Sequence, residues 1–285
     1  MMEVIVGKHS GFCNGVKHTV EEANKIIDEY KKVYCLGEIV HNERVIVDLE
    51  NKGMIMINDI KECPPKEKLI IRAHGEKKDV YDYAKKKDIE IIDLTCGKIK
   101  VIRKKVEEKK DNHFILIIGK TNHPESIGVK SFAGENSYIL ESLEQIDECI
   151  KSIKESKLEK VYIVSQTTFN SDKFDTIVNE LKKKIQLELT IDKTICNATS
   201  NRQEETDKLS KKVDAMIIVG GKNSSNTKEL EIISKKNCKN VFLIQNYKDL
   251  NYNELKSYNK IGLMAGASTP QIVVDEILSQ IEINK

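Results

Sequence analysis

Three of the seven cysteines, Cys13, Cys96 and Cys196, each follow a short apolar run and open a helical pattern, and the chain realigns on itself when they are superposed. Such self-similarity constrains the fold more than any other feature, because each copy must be one supersecondary unit packed in the same way. The cysteine turns read SGFC, LTC and TIC, and the last two share an upstream aspartate, in DLTC at 93 to 96 and DKTIC at 192 to 196. A second turn follows KVYCLG, FILIIG or AMIIVG and carries His41-Asn42, Asn122-His123 or Asn223-Ser224-Ser225-Asn226. A third follows KLIIR, VYIVS or IGLMA and carries Ala73-His74-Gly75, Gln166-Thr167-Thr168 or Gly266-Ala267-Ser268-Thr269. Counted from the cysteine, the second turn arrives after 28 residues (13 to 41), 27 (96 to 123) and 28 (196 to 224). The third arrives after 61 (13 to 74), 71 (96 to 167) and 72 (196 to 268), so the first copy is shorter there.

Between these turns, β-branched runs of strand length alternate with amphipathic helical stretches, the pattern of parallel sheets covered by crossover helices. Ten strands are expected: EVIV, KVYCL, KLIIR, IEIIDL, FILII, VYIVS, LELTI, AMIIV, NVFLI and IGLMA. Val16, Val20, Ala23, Ile27 and Tyr30 predict a helix after Cys13, and Ile99, Ile102 and Val106 predict one after Cys96. The fold class is α/β. Its expected form is three similar small domains with parallel sheets, spanning 13–95, 96–193 and 194–285, in a pseudo-threefold trefoil with its ligands at the centre. Ligands in such sheets bind beyond the carboxyl ends of the strands, where all nine turns lie.

One cysteine per copy makes a set of three thiolates with no local CxxC clip. Three soft ligands suit zinc or an iron–sulfur cluster, and on a cubane they leave one iron open for substrate. A single cysteine at such a turn would read as a small buried residue; threefold repetition reverses that. Cys35, Cys63, Cys149 and Cys238 do not recur in register and read as structural. The other six turns supply His41, His74, His123, Thr167, Ser224, Ser225, Asn226 and Ser268, several at helix starts whose free N–H groups attract anions. That donor set fits a phosphate site, although Ser224 or Ser225 could equally cap a helix. His9, His18 and His113 fall out of register. Neither GxxxxGK[ST] nor GxGxxG occurs, so a nucleotide is not indicated. Glu125, in NHPES, has no acidic counterpart in the other copies. It is a candidate proton donor, or a cap for the helix after it.

The 47 basic and 45 acidic side chains nearly cancel, which leaves no nucleic-acid footprint. No segment reads as a leader or a membrane span, so a cytoplasmic protein is expected, with thiols kept reduced.

GFCNGV, HNERV, AHG, DLTC, NHPE, SQTT, TICNATSNRQ, GGKNSSNT and AGASTP occur in one order along the whole chain. In this the sequence resembles the 4-hydroxy-3-methylbut-2-enyl diphosphate reductase family, IspH/LytB, of the non-mevalonate isoprenoid pathway. It departs in Asn14, where alanine is frequent, and in Asn197, neither a proposed ligand. The resemblance implies a trefoil around one [4Fe-4S] cluster, with strand 1–12 joined to the third domain. Cys13, Cys96 and Cys196 would bind three irons, and the substrate hydroxyl would bind the fourth. His41, His74, Ser224, Asn226 and Ser268 would grip the diphosphate, His123 and Ser225 would line the pocket, Thr167 would lie near the hydroxyl, and Glu125 would feed protons to it. Two electrons, from a donor such as ferredoxin or flavodoxin, and two protons would remove the hydroxyl as water. Reprotonation of the allyl intermediate would yield isopentenyl and dimethylallyl diphosphates. The chain stops without the ribosomal-protein-like extension of some relatives, so the reductase alone is expected.

Two other readings fit parts of the pattern. A non-catalytic iron–sulfur or zinc redox sensor that binds a phosphorylated metabolite needs the thiolates and the anion grip but no Glu125. A phosphate-binding enzyme with structural cysteines would keep its activity without iron.

Overall fold

The computed structural model describes residues 2–284. Among them, twelve strands form three four-stranded sheets, every pairing parallel. The strands are β1 (Glu3–Val6), β2 (Val33–Leu36), β3 (Met54–Ile57), β4 (Lys68–Ile71), β5 (Glu90–Asp93), β6 (Phe114–Ile118), β7 (Ser137–Leu140), β8 (Lys160–Ser165), β9 (Glu188–Ile191), β10 (Ala215–Val219), β11 (Asn240–Ile244) and β12 (Lys260–Ala265). The helices are α1 (Asn14–Tyr30), α2 (Glu43–Glu50), α3 (Lys78–Lys87), α4 (Gly97–Lys109), α5 (Pro124–Ala133), α6 (Ile146–Ser156), α7 (Ser171–Lys184), α8 (Asn197–Ser210), α9 (Ser225–Asn237), α10 (Tyr252–Leu255) and α11 (Gln271–Ile283). No helix among the described residues is long and apolar enough to cross a membrane.

The sheets run β3-β2-β4-β5, β7-β6-β8-β9 and β11-β10-β12-β1, one order used three times, with β1 taking the last place in the third sheet. In the first two, the connections from the two central strands leave in opposite directions, and in the third β10 connects to β11 on one side while β1 lies on the other side of β12. Ligands in such sheets bind at the carboxyl ends of the two central strands. The second and third turns of the sequence repeat lie at those ends. The cysteine turn follows the outer strand beside β4, β8 or β12, and its backbone is tied across. The N–H of Cys13 donates to the Ala267 carbonyl at 3.0 Å, that of Cys96 to Ala73 at 3.0 Å, and that of Cys196 to Thr167 at 3.0 Å.

Both sheet faces are covered, which is why the central strands are apolar throughout. In β6, Phe114, Leu116 and Ile118 pack with residues of α6 and α7, while Ile115 and Ile117 pack with Ile102 and Val106 of α4 and Val129 of α5. In β10, Ala215, Ile217 and Val219 pack with α11, and Met216 and Ile218 with Leu209 and Leu230 of α8 and α9. Each such valine, leucine, isoleucine, methionine or phenylalanine contributes about 1.5–3 kcal/mol on burial. By contacts the chain divides into two units. Unit 1 comprises Met1–His18, Val40–Asp48 and Asn197–Lys285 and contains the third sheet; unit 2 comprises Thr19–Ile39 and Leu49–Cys196 and contains the other two.

Two strands escape the sequence pattern, β3 (MIMI) and β7 (SYIL). Both are outer strands bonded on one side; MIMI is apolar but half methionine, which lacks the β-branching that marks a strand, and SYIL begins with a serine. After β3, β7 and β11 comes a 3-10 turn closed by a capping box, Asp59 with Glu62, Ser142 with Gln145 and Asn246 with Asp249. The segment beyond that turn accounts for the short first copy. The second copy has the 11-residue α6 before its next strand and the third has α10, whereas the first passes to β4 with no α-helix. In α1 the buried stripe is Thr19, Ala23 and Ile27, while Val16 and Val20 are half-buried and Tyr30 is exposed.

Candidate active site

Unit 1 holds five of the expected binding residues: Ser224, Ser225 and Asn226 beyond the carboxyl end of β10, Ser268 beyond that of β12, and His41 in the segment before α2. Ser224 is the N-cap of α9, its hydroxyl accepting from the Thr227 N–H at 3.3 Å. Ser225 and Asn226 open the helix, both buried. The Asn226 side-chain oxygen accepts from the Ala267 N–H at 2.9 Å, which joins the turn after β10 to the turn after β12. Its Nδ2, in a side chain only 2% exposed, has no hydrogen-bond partner. Ser268 donates from its hydroxyl to the His41 carbonyl at 3.1 Å. The His41 backbone comes so close to Gly221 that a Cβ there would lie 2.3 Å from the His41 oxygen. Apart from the His41 imidazole these are neutral polar groups, Ser224, Asn226 and Ser268 fixed by backbone bonds, with a helix N-terminus among them, which suits an anion.

Unit 2 holds the rest. His123 is the N-cap of α5, and its Nδ1 accepts from the Glu125 N–H at 3.1 Å. In a neutral ring that assigns the proton to Nε2, the face that can donate. The ring stands edge-on to His74 with centroids 5.4 Å apart. Glu125, second residue of the helix and 1% exposed, turns its carboxyl to Thr167 rather than to its own helix end. The Thr167 N–H donates to Oε1 at 2.6 Å and the Thr167 hydroxyl to Oε2 at 2.8 Å. Burial pushes the Glu125 carboxyl up to about 7, against the lowering effect of both Thr167 bonds and of the Arg103 charge. A carboxyl poised there can hold a proton at neutral pH and release it.

The cysteines separate into two classes. Cys13, Cys96 and Cys196 are half-buried, each immediately before a helix, where negative charge is favoured. Cys35, Cys63, Cys149 and Cys238 are buried, and burial pushes the thiols of Cys35 and Cys149 up to about 12 and that of Cys63 up to about 11. Cys149 and Cys238 belong to the core. Among the described residues no disulfide forms. Thiolates are ligands suited to soft metals; Cys13 lies in unit 1, and Cys96 and Cys196 lie in unit 2.

The histidines out of register lie elsewhere: His9 pairs with Glu205 at 2.9 Å on the surface, His18 is exposed, and His113 is buried edge-on to Tyr162. Motif reading missed Arg103, which is 5% exposed inside unit 2. A signal existed, since Arg103 shares the buried phase of α4 with Ile99, Ile102 and Val106.

Residues 4–282 match the family described as LytB protein. The chain is 41% identical over 286 residues to a 4-hydroxy-3-methylbut-2-enyl diphosphate reductase of Caldanaerobacter subterraneus subsp. tengcongensis, covering 99% of this chain and 97% of the relative. It is 40% identical over 289 residues to one from Thermoanaerobacter sp. (strain X514), covering 100% and 98%. A solved structure of the E-1-hydroxy-2-methyl-but-2-enyl-4-diphosphate reductase from Plasmodium falciparum superposes with a TM-score of 0.89 at 33% identity, covering 98% of this chain and 87% of that one.

Proposed function

The chain belongs to the LytB protein family, and from that membership and its site chemistry we propose that it reduces 4-hydroxy-3-methylbut-2-enyl diphosphate to isopentenyl and dimethylallyl diphosphates, the last step of the non-mevalonate pathway. Iron–sulfur dependence goes with the family. In this reading Cys13, Cys96 and Cys196 hold one [4Fe-4S] cluster, which supplies electrons and one open iron position for the substrate hydroxyl. The three-part division at 95/96 and 193/194 is part of the same reading, as is a cytoplasmic setting with ferredoxin or flavodoxin as donor.

The chain's own residues bind, orient and move protons. His41, His74, His123, Ser224, Ser225, Asn226 and Ser268 are the residues assigned to the diphosphate, and the unfilled Nδ2 of Asn226 is a donor suited to a phosphate oxygen. His123 would act through Nε2. Catalysis by Glu125 and Thr167 is carried by their double hydrogen bond. Because the Thr167 N–H can only donate, Oε1 stays an acceptor, and the proton of a neutral carboxyl resides on Oε2 against the Thr167 hydroxyl. A hydroxyl both accepts and donates, so Thr167 can pass that proton to a leaving oxygen. The same residue's carbonyl holds the Cys196 N–H, which links the proton path to a cluster-binding turn. Overall one C–O bond breaks, the oxygen leaves as water, carbon gains hydrogen, and two electrons and two protons are consumed.

A metabolite sensor has no use for a buried acid bonded to a hydroxyl. The test is turnover by anaerobically reconstituted protein with a reduced viologen and the allylic diphosphate. Both isomeric products are expected; an iron-loaded protein that binds the diphosphate without consuming electrons would overturn the reading.

A further inference from the structure

A buried cation in unit 2 lies against the turn that carries His74 and against α5. The Arg103 guanidinium, on α4, donates from Nη2 to the Glu76 carbonyl at 2.7 Å and from Nη1 to the Tyr81 hydroxyl at 3.0 Å. Its Nε has no partner, and its plane lies 5.0 Å from the centre of the Phe132 ring on α5. Among the described residues it ion-pairs with no carboxylate. A buried charge is costly unless every contact it has is well made. Here those contacts come from separate segments in register.

Two glycines make the register visible. Gly75, at φ +74°, follows His74, and a Cβ there would lie 2.1 Å from the guanidinium Nη2. Gly128, one helical turn beyond Glu125 in α5, would place a Cβ 2.7 Å from the same nitrogen and 3.4 Å from the Glu76 oxygen. The turn after β4, α4 and α5 therefore close on one nitrogen. The first of these carries His74 and the last carries His123, the rings that meet edge-on. A second tie runs the same way, from the Lys78 N–H to the Ser131 hydroxyl at 2.9 Å.

We propose that Arg103 is a positioning residue for diphosphate binding: by clamping the His74 turn onto α5 it sets where the two imidazoles stand relative to one another. The proposal rests on the reading of His74 and His123 as diphosphate ligands. It assigns Arg103 no contact with substrate, and it makes the geometry of the guanidinium matter more than its charge. A lysine keeps the charge but cannot reach two diverging acceptors.

The holoenzyme, reconstituted anaerobically and assayed with the allylic diphosphate, tests this through the split between KM and kcat. Loss of the two bonds in Arg103→Lys should raise KM about tenfold and leave kcat within about threefold. Tyr81→Phe removes one bond and should raise KM about threefold, with no further rise when added to Arg103→Lys. Gly128→Ala favours the helix yet crowds Nη2, so it should raise KM without lowering the melting temperature; it and Tyr81→Phe carry the test if Arg103→Lys fails to fold. Unchanged KM with a lower kcat or melting temperature in these variants would overturn the clamp and leave Arg103 a core residue. His74→Phe separates the two levels. If it raises KM while the Arg103, Tyr81 and Gly128 variants do not, the clamp fails and the binding reading survives; if KM is unchanged, both fail.

Discussion

The expected site residues of unit 1 and unit 2 are assembled differently. In unit 1, Ser268 bonds to a backbone carbonyl, Asn226 to a backbone N–H, and Ser224 caps its own helix. In unit 2, Glu125 bonds to the Thr167 side chain, His74 packs on His123, and a buried arginine bonds to the Glu76 carbonyl. Neutral donors locked to the main chain change neither charge nor place, which suits recognition. Titratable side chains locked to one another can exchange protons, which suits chemistry. Substitutions in unit 1 should therefore affect binding, and those at Glu125 and Thr167 turnover.

The largest expected effect is Glu125→Gln, which keeps the shape and removes the proton. General acid catalysis contributes about 10²- to 10⁴-fold, so kcat should fall by that order while KM and the iron content hold. A large rise in KM instead would erase the distinction between the halves. Next is Asn226→Ala. Hydrogen bonds to charged groups are worth about 1.5–3 kcal/mol, so affinity for the diphosphate should drop about 10- to 100-fold by calorimetry, with bound-state turnover retained.

The pH profile sharpens the contrast. With the Glu125 carboxyl at about 7, kcat should fall as pH rises above about 7, and that limb should vanish in Glu125→Gln but persist in Asn226→Ala. Stability carries the same signature. Between the usual 4.5 and about 7 the folded carboxyl keeps a proton that the unfolded chain has lost, so the contribution of Glu125 to stability falls as pH rises through that window. Glu125→Gln should flatten this dependence, by at most about 3 kcal/mol, in denaturant titrations of the metal-free protein. The smallest effect belongs to a cysteine outside the set. Cys149→Ala should cost about 1 kcal/mol in the same titration and leave the iron content unchanged, whereas Cys196→Ser should lose iron.

Much of this was legible before any coordinates. Cys13, Cys96 and Cys196, together with the nine turns, stand out because strand, turn and helix signals are local and recur at nearly constant spacing. The same locality hid β3 and β7, because MIMI is half unbranched methionine and SYIL begins with a serine, so the β-branched signal is weak. It also hid the environment of Glu125, because NHPES equally describes a helix cap. Its partner, Thr167, lies 42 residues away.

The sequence by itself determined the α/β class, the repeat, the family, and the residue types available for an iron–sulfur, diphosphate-binding enzyme, since these depend on side-chain identity and short-range order. Only the tertiary structure decided that Glu125 faces Thr167, that Asn226 bridges two turns, and that Arg103 lies buried against Gly75 and Gly128. Those outcomes depend on desolvation and on contacts between segments distant in the chain, and no local pattern encodes either one.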